Sequence, residues 1–469
     1  MKRLLLLVAT SVLMLSPGAA RPSAQTNALS FFKNYFVTGD YVVGGASLWR
    51  KGINGRATGQ IDVSGVPDGV DIVAAFLYVQ TAEAVQWSGI DRAAFNGNDL
   101  GPGNNSLAKA LNWAKATRPC WSLAWPGGRR LVTYRADVLR FFEPEDNPGS
   151  PSFGKLKING SHTISAPDYG YMFGDDDELG QESGSSTGAR AVGASLVVVY
   201  RDPSKPFRGV VIYDGGATKQ AFSTMNQLLT GFYQATATPN AKMTHIVGDG
   251  RPYLSERVRV NGNLVATNPY ASTEGPKWDN PTFTNLTVLN GSSAAALEVA
   301  PNGLFSDCVS FSAVVFSTDV QDSDDDGLLD VWESSTTPIL DPSGSALPNL
   351  AAMGASATQK DIFVEVGSMF TVDDPSPSID APAYGGVAKP EHTHVPPPEA
   401  LKLVGDAFVK EGINVHFDMG PDYDAGAASA YVIAPLLARG GETMRPPGSS
   451  FQEPIEPGRA NLTVTVWTG

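Results

Sequence analysis

The sequence predicts a mainly β fold: two antiparallel β-sandwich modules in series, then an acidic loop, then a partial α/β region. Three observations predict it. From Ala28 to Val320 the chain runs in short apolar or alternating segments broken by Gly, Pro and Asn, with almost nothing at helical spacing. Asn-Gly pairs recur at Asn96-Gly97, Asn159-Gly160, Asn261-Gly262 and Asn290-Gly291, and that dipeptide suits the positive φ angles of a tight hairpin turn. After Glu333 the pattern changes, and one helical segment lies between two short apolar ones.

At the start of the chain, Met1-Lys2-Arg3, the apolar stretch Leu4 to Leu15 and the small residues up to Ala20 follow the order of a secretory signal peptide. Residues 1–24 are therefore set aside as a leader, and the mature protein is expected to be secreted or periplasmic. The apolar stretch is shorter than the roughly 20 residues that span a bilayer, and no later segment is a membrane span. A net charge of −14 over 469 residues argues against nucleic acid or an anionic membrane surface as partner, since both require a basic patch. An extracellular protein or a polysaccharide remains as partner. Cys120 and Cys308 are the two cysteines, and in an oxidising compartment either a disulfide or a pair of buried thiols is open to them.

The first sandwich module is assigned to residues 28–202 and the second to 203–320, with the boundary near Pro203. A Gly/Ser/Asp-rich break from Asp168 to Gly188 interrupts the strand pattern before it resumes at Ala191. Within the break, Asp175 to Glu178 reads as a solvated acidic loop rather than a second ion site. The strongest strands are Val70 to Val79, Ala194 to Tyr200, Gly209 to Tyr213 and Phe311 to Phe316, each too apolar to face water on either side. Residues 334–469 form the partial α/β region. Asp361 to Val366 reads as a strand, Pro398 to Lys410 as a helix with Leu401, Val404 and Phe408 on one face, and Ile413 to Phe417 as a second strand. That βαβ order implies a parallel pair. The Gly-, Pro- and Ala-rich residues after Ala425 leave this region short of a complete domain.

Between the sandwiches and the α/β region lies Asp322-Ser323-Asp324-Asp325-Asp326-Gly327-Leu328-Leu329-Asp330-Val331-Trp332-Glu333. It matches the Asp-x-Asp-x-Asp-Gly pattern closed by a glutamate, the EF-hand-like calcium loop. Calcium is a hard cation that takes six to eight oxygens. Asp322, Asp324 and Asp326 supply carboxylates, Gly327 the sharp turn, Leu328 a backbone carbonyl, Asp330 a further position and Glu333 two oxygens. Leu329 is the apolar anchor. A strand precedes the loop, so no EF-hand helix pair forms, and the ion is expected to brace the joint structurally.

No catalytic residue is assigned. His-Glu-x-x-His is absent, and none of the five histidines lies four residues from another. His392 and His394 flank Thr393 ahead of prolines and read as loop residues, while His416 beside Asp418 reads as a strand histidine. Gly184 to Gly188 matches Gly-x-Ser-x-Gly, but no apolar strand leads into it.

Gly65-Val66-Pro67, Tyr134 to Val138, Gly193 to Tyr200 running into Val211 to Gly215, the calcium loop, Lys360 to Val366 and Ile413 to Gly420 together resemble the sandwich and calcium-loop region of large exported bacterial proteins. The loop is similar to those of the dockerin and thrombospondin type 3 kind. In some of these proteins the chain continues into a zinc metallopeptidase-like domain bearing His-Glu-x-x-His, which has no counterpart here, so the resemblance transfers no zinc ligand. The expected function is that of an exported, calcium-binding, non-catalytic binding or surface-interaction module. The alternatives are the N-terminal part of a secreted zinc metallopeptidase, or a carbohydrate-binding protein using Trp113, Trp121 and Trp125.

Overall fold

The computed structural model describes residues 28–49, 52–83, 90, 93–101, 107–111, 120, 130–168, 189–252, 254–304, 306–371 and 392–444. The expected leader, the acidic run Asp175 to Glu178, the Gly184 to Gly188 segment, the tryptophans Trp113, Trp121 and Trp125, and the residues after 444 lie outside the described residues.

The first sandwich is built from β1 (Ser30–Ser47), β2 (Gly52–Ile53), β3 (Arg56–Val63), β4 (Asp71–Glu83) and β5 (Ala94–Phe95). It is completed by β6 (Asn98–Asp99), β7 (Lys109–Ala110), β8 (Arg130–Asp137), β9 (Gly160–Pro167) and β10 (Arg190–Arg201). One antiparallel layer runs β1-β10-β4-β8-β7 and the other β2-β3-β9-β5-β6. Leu48, Ile61, Leu77, Phe95, Ile164 and Leu196 are fully buried between them. β3 shows why it lies at the surface of a sandwich: its residues alternate strictly exposed and buried, the period-2 signature of one wet and one dry face.

The second sandwich contains β11 (Phe207–Lys219), β12 (Met225–Thr230), β13 (Ala241–Gly248), β14 (Glu256–Val260) and β15 (Asn263–Thr267). To these are added β16 (Trp278–Asp279), β17 (Thr282–Leu286), β18 (Ala294–Pro301) and β19 (Val309–Asp319). One layer runs β1-β11-β19-β13-β16 with β17 also on β13, and the other runs β12-β18-β14-β15. Leu229, Met243, Val258, Leu297, Phe311 and Phe316 fill the space between.

Strand β1 belongs to both sandwiches. Its first half, Ser30 to Thr38, pairs with β11, and its second half, Gly39 to Ser47, pairs with β10. The two inner layers are thereby one continuous ten-stranded sheet. Their remaining faces form a third core, where Tyr41, Phe76, Tyr78 and Val197 meet Ile212, Ile246, Trp278 and Val315. This explains the runs that are apolar on both sides: β4, β10, β11 and β19 each have one face in a sandwich core and the other in the layer between sandwiches. Trp278 lies on the backbone of Gly193, where an added Cβ would come 2.1 Å from the indole, and its Nε1–H donates to Ser195 Oγ at 2.9 Å. A side chain at 193 would displace the tryptophan that fills this layer.

Cys120 and Cys308 form a disulfide, with Cα atoms 5.4 Å apart and a sequence separation of 188. Cys308 immediately precedes β19 and Cys120 lies between β7 and β8, so the bond ties the second sandwich to the first. In the chain-entropy picture, closing a loop of that length removes ~5 kcal/mol of freedom from the unfolded chain.

Two of the expected Asn-Gly turns are hairpins. Asn96-Gly97 (φ 49° and 78°) joins β5 to β6, and Asn261-Gly262 (φ 50° and 81°) joins β14 to β15. The other two are not. Gly160 opens β9, with the Asn159 amide bonded to the backbone of Val66 just beyond the neighbouring strand β3, and Gly291 lies between β17 and β18, which belong to different sheets. A further pair, Asn54-Gly55 (φ 54° and 82°), makes the β2–β3 hairpin.

Beyond β19 come the short helices α1 (Asp330–Ser334) and α2 (Leu350–Met353), then β20 (Lys360–Glu365), β21 (Ser368–Thr371) and β22 (His392–Thr393). α3 (Pro398–Lys410), β23 (Ile413–Asp418) and β24 (Thr443–Met444) follow. β20 and β23 pair in parallel from Lys360↔Ile413 to Glu365↔Asp418. α3 packs on this pair through Leu401 and Phe408, while Val404 stays 42% exposed. Gly405 takes the place expected for Val404, because the Tyr431 ring lies where a side chain would be. Among the described residues no helix is long and apolar enough to cross a membrane.

Candidate metal centre

The loop from Asp322 leaves the end of β19 and returns into α1. Asp325 (φ 58°) and Gly327 (φ 91°) both adopt the left-handed region, which turns the chain sharply enough to bring alternate carboxylates inward. Asp322 holds the turn, its two oxygens accepting the backbone N–H groups of Asp326 at 3.3 Å and Gly327 at 2.9 Å. Asp326 Oδ1 accepts from Leu328 N–H at 2.7 Å. Leu329 is fully buried in the second sandwich core and fixes the end of the loop there.

Two groups of carboxylates result, each with its oxygens within 4.8 Å of one another: Asp322, Asp324 and Asp326, and then Asp326, Glu333 and Asp361. Asp326 is common to both. Asp330 is turned to a different task, since its oxygens accept the N–H and the hydroxyl of Ser323, both at 2.7 Å. Leu328 contributes the N–H already described; its side chain is half-buried.

Asp361 comes from outside the loop. It stands at the head of β20, 3% exposed, and its own N–H donates to Asp326 Oδ2 at 2.7 Å. Its Oδ2 accepts from Ser356 N–H at 2.8 Å, and its Oδ1 lies 2.7 Å from His416 Nε2, with the His416 ring stacked on Phe363. The one sequence signal for Asp361 was a carboxylate opening an otherwise apolar strand.

The electrostatics are unfavourable to the protein alone. Glu333 is 3% exposed, and both of its oxygens, like both oxygens of Asp324, are buried with no hydrogen-bond partner. Burial, followed by the charges of Asp326, Asp324, Asp361 and Asp322, pushes the Glu333 carboxyl up to about 8. Burial and its carboxylate neighbours push Asp324 up to about 6, and burial also raises Asp322 and Asp326. Lys360 is close by, but its Nζ donates to the backbone carbonyl of Asp325 at 2.6 Å. Unpaired buried carboxylates cost several kcal/mol each, so this arrangement is suited to a cation. The donors of both groups are all oxygen, the chemistry of a hard ion rather than of zinc.

Among the described residues, His162, His245 and His416 each have their own separate partners. His162 hydrogen-bonds Asn96 and the carbonyl of Ile158, His245 is fully buried beside Tyr270, and His416 faces Asp361. His394 is exposed, and the His392 side chain lies outside the described residues.

No family model matches this chain, and no curated protein matches it. Solved structures give faint likenesses. The crystal structure of a peptide-N(4)-(N-acetyl-β-D-glucosaminyl) asparagine amidase aligns with 60% of this chain and 96% of its own, at 11% identity and a TM-score of 0.16. PNGF-II aligns with 60% of this chain and 65% of its own, at 10% identity and 0.19. The tandem CBM51 modules of a family 98 glycoside hydrolase from Streptococcus pneumoniae align with 58% and 83%, at 9% identity and 0.15. Scores this low carry no functional argument.

Proposed function

We propose that this chain is an exported, non-catalytic binding protein in which one calcium ion braces the joint between the second sandwich and the α/β region that follows. The observation that carries the reading is Glu333, buried with both oxygens unpartnered against Asp326 and Asp361. Asp322, Asp324, Asp326, Glu333 and Asp361 would hold the ion, with the Leu328 carbonyl as the sixth donor that an EF-hand-like loop supplies. Asp330, bonded to Ser323, would shape the loop rather than ligate. Because Asp361 lies on β20 and the other carboxylates follow β19, the ion would join two elements that meet nowhere in one sheet. Export is supported by the Cys120–Cys308 disulfide, a bond that persists in oxidising compartments.

Differential scanning calorimetry in calcium and in a chelator tests the reading. Sites of this kind in extracellular modules bind at ~0.1–1 mM, so at ~10 mM calcium the gain is ~1–3 kcal/mol, which for a domain of this size raises Tm by roughly 3–8 °C. Equal melting temperatures in the two buffers would remove the brace.

A further inference from the structure

Four of the five carboxylates proposed to hold the ion lie in the loop and α1, and their own chain sets them. Asp322 and Asp326 accept backbone N–H groups, while Asp324 and Glu333 have no hydrogen-bond partner. Asp361 differs. Of the five, it alone accepts a hydrogen bond from a side chain, and that side chain is His416.

The strand pair β20–β23 explains how the two meet. Val364, Val415 and Phe417 turn toward Leu401 and Phe408 of α3. Alternate residues of a strand point the other way, so Asp361 and Phe363 of β20 share the opposite face with His416 of β23, which lies directly across from Phe363. The imidazole stacks on the Phe363 ring, with centroids 4.6 Å apart and planes 17° from parallel. Gly354 (φ 107°) closes on its edge, since a Cβ there would come 3.0 Å from His416 Cε1 and 3.3 Å from Nδ1. The ring is thereby fixed, with Nε2 2.7 Å from Asp361 Oδ1 and the His416 side chain 12% exposed.

A ligating carboxylate oxygen can only accept, so His416 Nε2 carries the hydrogen. The second oxygen of Asp361 accepts from Ser356 N–H at 2.8 Å. With one donor on each oxygen, the carboxylate is held against rotation, and each oxygen keeps a lone pair for a cation. Asp361 is also grouped with Asp326 and Glu333, with ligand oxygens within 4.8 Å of one another. A free aspartate would have to be ordered when the ion binds, and one already held is spared that entropy.

We propose that His416 is the positioning residue of the ion site: it fixes Asp361 in the orientation that ligates, and so extends the brace from the loop through β20 to β23. The proposal rests on the reading of this joint as a calcium site and adds a residue that no loop pattern contains. Loss of such an outer partner typically costs about 10- to 100-fold in metal affinity.

The test is calorimetric calcium titration of the full-length exported protein and its variants. His416→Leu removes the donor and should bind calcium about tenfold more weakly. His416→Gln, whose amide N–H can reach the same oxygen, should stay within about twofold of the parent. In Asp361→Ala, which leaves His416 nothing to hold, adding His416→Leu should cause no further loss. His416→Asn, too short to reach Asp361, gives the same reading as leucine if leucine disturbs the strand, and thermal melts in chelator show which variants are folded. Parental affinity in both His416→Leu and His416→Asn overturns the proposal and leaves the brace standing. An equal loss with and without Asp361, unrescued by glutamine, makes His416 a packing residue and overturns it too. No calcium binding by the parent removes the brace and the role of His416 together.

Discussion

Two of the places where the molecule buries acidic residues treat them differently. At one end of the second sandwich Asp249, Glu256 and Asp307 are at most 1% exposed, and the chain brings its own cations to them. Lys219 Nζ is 3.2 Å from Glu256, Lys277 Nζ is 3.0 Å from Asp249, and Arg251 Nε is 3.9 Å from Asp307. At the loop after β19, Asp324 and Glu333 are buried with no such partner, and the nearby Lys360 is engaged by a carbonyl. The difference separates two uses of buried charge. The first cluster is paired with cations of the polypeptide itself, while the second has no positive half of its own, as the proposed ion site requires.

The sharpest way to break that comparison is to remove a cation from the self-paired cluster. Lys219→Met should strand Glu256 and cost ~3–5 kcal/mol in urea unfolding, by the same amount in calcium and in chelator. A loss that depended on calcium would mean that the two clusters are not independent.

Glu333→Gln should have a smaller effect that changes sign. Above about pH 8, where the Glu333 carboxyl is ionised without a metal, the change removes an unpaired buried charge in chelator and raises stability, whereas in calcium it removes two ligand oxygens and lowers it, by ~1–2 kcal/mol each way. Thermal melts of parent and variant in both buffers read the crossing directly, and a change of one sign in both buffers would make Glu333 an ordinary core residue.

Within the self-paired cluster, Asp307 has the most distant partner. Burial first, and then Asp249 beside it, push its carboxyl up to about 7 from 3.8. A carboxyl with a raised pKa in the folded state retains a proton that the unfolded chain has lost, so its contribution is full below about 4 and disappears as pH rises through about 7. Stability in saturating calcium should therefore fall across that window, and less steeply in Asp307→Asn. A variant with the parent's slope would assign the fall to other groups.

What could be read in the sequence follows from how local each feature is. The loop was legible because Asp322, Asp324, Asp326 and Glu333 fall within one turn of chain. Asp361 was not, because it reaches Asp326 across 35 residues by tertiary packing. The strands of the inner layers stood out because both their faces are dry, but the layer that covers their second faces was not legible. That depended on β1, whose Lys33, Asn34, Gly39, Asp40 and Gly44 dilute any apolar pattern, and which passes from one sandwich to the other at its middle.

The most direct test of the account is a calorimetric calcium titration of the parent protein and of Asp361→Asn, the carboxylate that lies outside the loop. One ion should bind the parent at ~0.1–1 mM, and the variant about tenfold more weakly, with its melting temperature in chelator not lowered. Binding to the variant as tight as to the parent would confine the site to the twelve-residue loop and end the claim that calcium joins it to β20. No binding to the parent would contradict the account altogether.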